Sequence, residues 1–261
     1  MTASTEPKSM VVKTADEIHI MHEANQIVAE TLTRVRRSVD VGITTWELDM
    51  IAEECCARKK VRPAFKGYRG FPASLCVSIN EQVVHGIPSK KCKLKKGDII
   101  SIDFGVEYKG YFGDSAITLP VGKVDATKDK LLEVTRRSLV LAIEKVQIGN
   151  RISDISEAVQ TYVENNGFAI VRQFVGHGIG TALHEGPEIP NFVQNESSPR
   201  IVEGLVLAIE PMVNAGTYKV KVLKDGWTVI TADKKPSAHF EHSVAATVDG
   251  PLVLSSRENF E

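Results

Sequence analysis

The stretch that decides the fold is ISIDFGVEYKGYFGDSAIT, residues 100–118. Ile99, Ile100, Ile102 and Phe104 surround Asp103, and a β-branched run of this kind predicts a strand buried on at least one face. A carboxylate in that setting costs several kcal/mol unless it is paired or holds a cation. Tyr108, Lys109 and Gly110 predict a turn that folds the chain back, and the returning strand brings in Asp114. Two readings stand at this point. Either the hairpin carries a surface acid near each end, or two carboxylates on neighbouring strands converge on a divalent metal. The rest of the chain decides between them.

The 261 residues are 43% hydrophobic and 25% charged with a net charge of −1, the composition of a globular protein with a sizeable core. That charge gives no general reason to expect nucleic-acid or membrane-surface binding. No apolar run approaches the ~18 residues of a membrane span, and MTASTEPKSM lacks the hydrophobic centre of a signal peptide. Cys55, Cys56, Cys76 and Cys92 form no CxxC pair and predict no disulfide framework, so the cytoplasm is the expected compartment.

Residues 1–14 read as a flexible tail and residues 15–261 as one catalytic domain, with halves at about 15–120 and 121–255. Ile18, Met21, Ala24, Ile27, Val28, Leu32 and Val35 follow helical spacing. A second helix restarts after Gly42, with Thr44 or Thr45 as its cap and Glu47 in its first turn. SLCVSIN (74–80) predicts a strand, and Val83, Val84 and His85 a second short one. Beyond the hairpin come a helix from near Thr127 to Val146 and another from ISDISEAVQTYVEN.

The second half repeats the first. Gly42 in VGITTWEL matches Gly149 in IGNRISDI, and Gly97 in KKGDIISID matches Gly204 in VEGLVLAIE, each pair 107 residues apart. The same offset sets Asp103 on Glu210. A constant shift predicts duplicated αβ halves about a pseudo-twofold axis, with a merged central sheet, helices outside, and the two acids together near the axis.

Two further segments supply polar candidates. FVGHGIGTALHEGPEIPN carries His177 and His184 in what reads as a Gly-rich loop after a strand at 168–171. SAHFEHSVAATV carries Glu241 in an apolar strand. Alternation places Phe240 and His242 on the opposite face, so the neighbouring histidines, His239 included, are not expected to share its site. Asp103, Asp114, His177, Glu210 and Glu241 together form an oxygen-rich set with one imidazole, suited to Mn, Fe, Co or Zn. Paired metals ~3.5–4 Å apart suit hydrolysis.

The motifs VGITTWELD, GYRGFPASLCVSINEQVVHGIP, GDIISIDF, GYFGDSA, VGHGIGTALHEGPEIPN, IEPMVNAG, DGWTV and HFEHSV occur in one order between Val41 and Val244, within a resemblance that covers about Ile18 to Leu254. In them the chain resembles the methionine aminopeptidases of the creatinase-like "pita-bread" superfamily, peptidase family M24. The resemblance implies an α+β pita-bread fold and removal of the initiator methionine from nascent proteins and peptides, with a small second residue preferred. It also implies two divalent ions (Co, Mn, Fe, Ni or Zn). Asp114 and Glu241 would bridge them, Asp103 would chelate one, and His177 with Glu210 would hold the other. Glu210 would shuttle the proton of the bridging water, with His184 at the scissile amide and His85 at the substrate amine and leaving group. Tyr68, Phe71, Cys76 and Trp227 would line the methionine pocket, with His85 at its edge. Without the resemblance the three aromatic residues read equally as loop anchors. Phe65 and Leu183 stand where members vary, which bears on pocket shape, and Asn80 and Ser237 match residues that contact a monovalent cation in some members.

Only 31 residues separate Glu210 from Glu241, too few for the helical insertion of type 2 enzymes. With no zinc-binding extension either, the chain reads as a compact, monomeric, bacterial-type type 1 enzyme. Proline-specific peptidases of this fold carry an N-terminal domain, for which the residues before the first helix leave no space. A catalytically dead binding protein would be expected to have lost ligand positions. Lys90, Lys91, Lys93, Lys95 and Lys96 read as a solvated edge, with a weak contact to ribosomal RNA as the alternative.

Overall fold

A computed structural model describes residues 10–194 and 198–257. The first half contributes α1 (Ala15–Ser38), α2 (Thr45–Lys59), β1 (Arg62–Pro63), β2 (Leu75–Ile79), β3 (Ile99–Tyr108) and β4 (Tyr111–Pro120). The second begins with α3 (Ala126–Ile143), α4 (Ile152–Asn165), β5 (Ala169–Ile170), β6 (Gly176–Gly178) and β7 (Glu185–Ile189). It continues through β8 (Val206–Ile209), β9 (Met212–Asn214), β10 (Val220–Val222) and β11 (Val229–Thr231). It closes with β12 (Ser237–His239), β13 (Glu241–Thr247) and β14 (Gly250–Val253). Among the described residues no helix is long and apolar enough to cross a membrane.

Local chemistry starts these elements where the sequence indicated. Thr14 and Thr44 each cap a helix through a capping box with Glu17 and Glu47, so donors at both helix N-termini are satisfied. Between β3 and β4 the chain turns on Lys109 and Gly110, both left-handed (φ 51° and 83°), which suits a two-residue hairpin turn.

In the main sheet the antiparallel order β2–β3–β4–β13–β8–β6 has three strands of each half on either side of the β4–β13 seam. That is the pseudo-twofold arrangement of the pita-bread fold, and each half keeps its own core. One gathers Val28, Leu32, Leu48, Ile102 and Phe104 beneath α1 and α2. The other gathers Leu131, Leu139, Ile155, Val159 and Leu207 beneath α3 and α4. The repeat extends to backbone angle: Gly42 and Gly149 have φ 94° and 93°.

Three local expectations are corrected. The N-terminal tail cannot be loose from Met10 onward: Met10 bridges Gly186, Val12 bridges Leu205, and the buried Lys13 ammonium pairs with Glu185. Residues 1–9 lie outside the described residues. Val83, Val84 and His85 form no strand of their own: Val83 and Val84 exchange backbone hydrogen bonds with Val229, and His85 then turns left-handed at φ 60°. His177 lies within β6, paired to β7 and β8, rather than in a loop.

Helix α1 bears directly on the hairpin acid. The Asp114 amide donates to Asn25 Oδ1, and a Cβ on Gly113 would stand 2.9 Å from the Asn25 backbone nitrogen. Gly113→Ala is therefore expected to lower stability by about 1–3 kcal/mol through overpacking, read as the urea midpoint of unfolding. An unchanged midpoint would show that α1 does not constrain this strand.

Candidate metal and peptide-binding site

Register explains how distant acids meet. Asp103 pairs with Ala116 and Gly105 with Asp114, so Asp103 and Asp114 share one face of the hairpin as diagonal neighbours. Across the seam Glu241 pairs with the same Ala116. Glu210 follows the last residue of β8, and His177 lies on β6 beside it. Five neighbouring strands thus deliver one polar side chain each to a single place. One donor atom from each of Asp114, His177 and Glu241 falls within 4.8 Å of the others.

All the residues singled out from the sequence for metal, catalysis or the methionine pocket line one cavity of about 160 Å³, with Phe65, Leu183 and Arg69 at its wall. That is well under the ~300–1,000 Å³ of sites for drug-sized ligands and suits a single side chain. A larger, open groove along α3 and α4, past Leu141 and Tyr162, contains none of these groups.

The site's electrostatics oppose leaving the acids ionised and unpaired. Burial, then repulsion from Asp114 and Glu210, holds the Asp103 carboxyl well above its ordinary range. Burial raises Asp114 to about 7. Burial, then Asp114, raises Glu210, and Glu241 is raised by burial and the three other acids despite the nearby Arg257. Asp103 Oδ1, Asp114 Oδ1 and Glu241 Oε1 are buried and, among the described residues, accept no hydrogen bond. Buried carboxylate oxygens without donors fit a divalent cation, and the imidazole is prepared for one. His177 Nδ1 donates to the Gly178 carbonyl at 2.9 Å, which leaves the lone pair on Nε2, 3.5 Å from Glu210 Oε1.

A cation entering this cluster must displace the protons its acids hold near neutral pH. Calorimetric titration with Mn²⁺ at pH 6.5, in buffers of different ionisation enthalpy, is expected to show net proton release and an affinity that rises with pH through about 7. Binding without proton release would contradict the shifted carboxyls.

The pocket side is aromatic. Tyr68 Oη lies 2.9 Å from His184 Nδ1 with the two rings stacked, and the His184 ring is 4.3 Å from that of His177, centre to centre. His85 is half-buried between Phe174 and Trp227, and desolvation lowers it to about 4, so it is neutral at pH 7. Trp227 in turn meets Phe71 edge-on. Burial drives the Cys76 thiol well up, away from thiolate chemistry.

Alternation holds for His242, whose Nδ1 bonds Ser255 Oγ away from the site. It does not exclude His239. That residue ends β12 in the sheet with β9, one residue before β13 begins, so the alternation along β13 does not reach it, and its Nε2 lies 3.7 Å from Glu210 Oε2. Arg257 was also missed: it is buried, donates to Ser115 Oγ and lowers Glu241. No local pattern marks an arginine near the chain's end as part of a site. At the expected monovalent-cation position, Asn80 Oδ1 accepts from the Lys128 ammonium and the Ile99 amide, and Ser237 Oγ donates to Val213 O. Two polar side chains there are thus already engaged.

Residues 19–248 match metallopeptidase family M24. The methionine aminopeptidase of Clostridium perfringens is 50% identical over 94% of this chain and 98% of its own length. Methionine aminopeptidase 1 of Bacillus subtilis is 52% identical over 94% and 99%. The crystal structure of the Thermotoga maritima methionine aminopeptidase superposes with a TM-score of 0.93 at 42% identity, over 95% of this chain and all of that one. The prolidase of Pyrococcus horikoshii shares the fold alone, with a TM-score of 0.77 at 20% identity, over 95% of this chain and 64% of its own.

Proposed function

Because this chain belongs to metallopeptidase family M24, as a methionine aminopeptidase, we propose that it removes initiator methionine from nascent chains in the cytoplasm through a two-metal site held by Asp103, Asp114, His177, Glu210 and Glu241. The observation that carries this reading is the delivery of these five side chains, one per neighbouring strand, to a cavity the size of one side chain. Divalent cations there supply Lewis acidity and ease the ionisation of water.

The chain's own groups supply the rest. Asp114 and Glu241, on the two strands that meet at the seam, would hold the ions together with Asp103, His177 and Glu210. Glu210, ionised in the loaded site, takes a proton from the attacking water and returns it to the leaving amine. With the Tyr68 hydroxyl donating to Nδ1, His184 presents an Nε2–H to the oxygen on which charge develops. Neutral His85 accepts from the substrate amine at the pocket edge. Phe71, Trp227 and Cys76 give the methionine thioether an apolar, aromatic enclosure.

The test is methionine release from Met-Ala-Ser by the purified protein with Mn²⁺ or Co²⁺, against Ala-Pro substrates. The reading expects release from the first alone. No release with any divalent ion, or preferential cleavage before proline, would overturn it. The exposed run Lys90 to Lys96, where Lys90 sits 4.2 Å over the Trp46 ring, offers a contact for ribosomal RNA. Charge reversal there that leaves ribosome co-sedimentation unchanged would dispose of that contact.

A further inference from the structure

We infer that His239 is a positioning residue for the peptidase reaction, its Nε2–H directed at Glu210 Oε2 so that Oε1 is turned toward His177 and the metal cluster. The inference rests on the two-metal reading above and concerns a residue outside its ligand set.

His239 is 1% exposed, and its Nε2 finds no hydrogen-bond partner among the described residues. A buried, unpaired ring nitrogen costs about 1–3 kcal/mol, so its direction is informative. That nitrogen lies 3.7 Å from Glu210 Oε2, while His177 Nε2 lies 3.5 Å from Oε1. The Glu210 carboxylate therefore stands between two imidazoles, one at each oxygen. Its backbone oxygen is fixed as well, accepting from Asn191 Nδ2.

The placement of His239 is itself fixed from outside the site. Its amide donates to Thr118 Oγ1 at 2.9 Å, and the same hydroxyl donates to the His239 carbonyl at 2.6 Å. Ser101 Oγ holds Thr118 Oγ1 from β3, and β12 pairs His239 with Met212 on β9. Two strands of the first half thus clamp a histidine of the second half behind its own carboxylate. Glu210 must bind a cation and also move a proton, and a carboxylate free to rotate does neither at a fixed position. A donor on the outer oxygen restricts that rotation, as partners of metal ligands commonly do at ~10–100-fold in affinity or activity.

Three proteins test this: wild type, His239→Leu, and His239→Gln, whose amide restores a neutral N–H donor. The readouts are Mn²⁺ affinity by calorimetry, kcat and KM on Met-Ala-Ser, and thermal unfolding of the metal-free protein. The leucine variant is expected to bind Mn²⁺ about 10–100-fold more weakly and to lose kcat with little change in KM, with the glutamine variant within a few-fold of wild type. If the leucine variant does not fold, His239→Phe replaces it and retains the ring's bulk. Wild-type affinity and kcat in the leucine or phenylalanine variant would overturn the inference. So would equal losses in the glutamine and leucine variants when both unfold like wild type, since packing rather than a donor would then be at issue. A wild-type protein that binds no Mn²⁺ contradicts the two-metal reading instead.

Discussion

Replacing Glu210 by Ala is expected to lower kcat for Met-Ala-Ser by a factor on the order of 10²–10⁴, the usual worth of a positioned acid–base group. The fold should survive. Glu210 is buried and raised by its own desolvation and by repulsion from Asp114, so removing it relieves a strained charge arrangement in the metal-free protein. Its backbone carbonyl still accepts from Asn191, and the strand before it, Val206–Ile209, is held by β6 and β13 whatever the side chain. Unfolding should therefore occur at the wild-type temperature or above it while turnover falls. Near-native turnover would contradict the proton-shuttle role, and collapse of the fold would show a structural one.

The second large effect concerns stability. Asp114 is raised from an ordinary carboxylate value to about 7 by burial in the metal-free protein. A group whose folded-state pKa lies above its unfolded value contributes stability that is present at low pH and is lost as pH rises toward the folded pKa. Metal-free wild type is thus expected to lose stability between about pH 4 and pH 7, by up to about 4 kcal/mol at ~1.4 kcal/mol per unit for this group. Asp114→Asn, which cannot ionise, should flatten that slope. It should also lose the stabilisation that Mn²⁺ gives wild type, since one shared ligand is gone. Urea unfolding across this range, with and without Mn²⁺, reads both effects. A slope identical in the two proteins would place the strain on other groups.

Much of this was legible in the chain itself. The apolar frame around Asp103 and the Lys109–Gly110 turn required a buried hairpin, and period-two alternation across it put Asp103 and Asp114 on one face. The 107-residue offset marked Asp103 and Glu210 as counterparts, and the sheet sets their strands symmetrically about the β4–β13 seam. What escaped the sequence depends on contacts remote in the chain. Lys13 pairs with Glu185, 172 residues away, and nothing near MVVKT announces it. His177 sits in a strand of three residues flanked by glycines, which have no strand preference of their own and owe their extended form to pairing with β7 and β8. His85 looked like part of an apolar strand, yet its left-handed backbone ends the pairing and turns the ring between Phe174 and Trp227. Alternation along one strand separates Glu241 from His242 but does not reach His239, because the chain changes sheet at Phe240.

The central claim, that these five side chains form one two-metal site, is tested most directly by anomalous diffraction at the Mn edge on crystals soaked in Mn²⁺. The account predicts two adjacent peaks inside the cavity, both within coordination distance of Asp114 and Glu241, one also touching Asp103 and the other His177 and Glu210. A cavity without anomalous density, or ions bound only elsewhere on the protein, would contradict it.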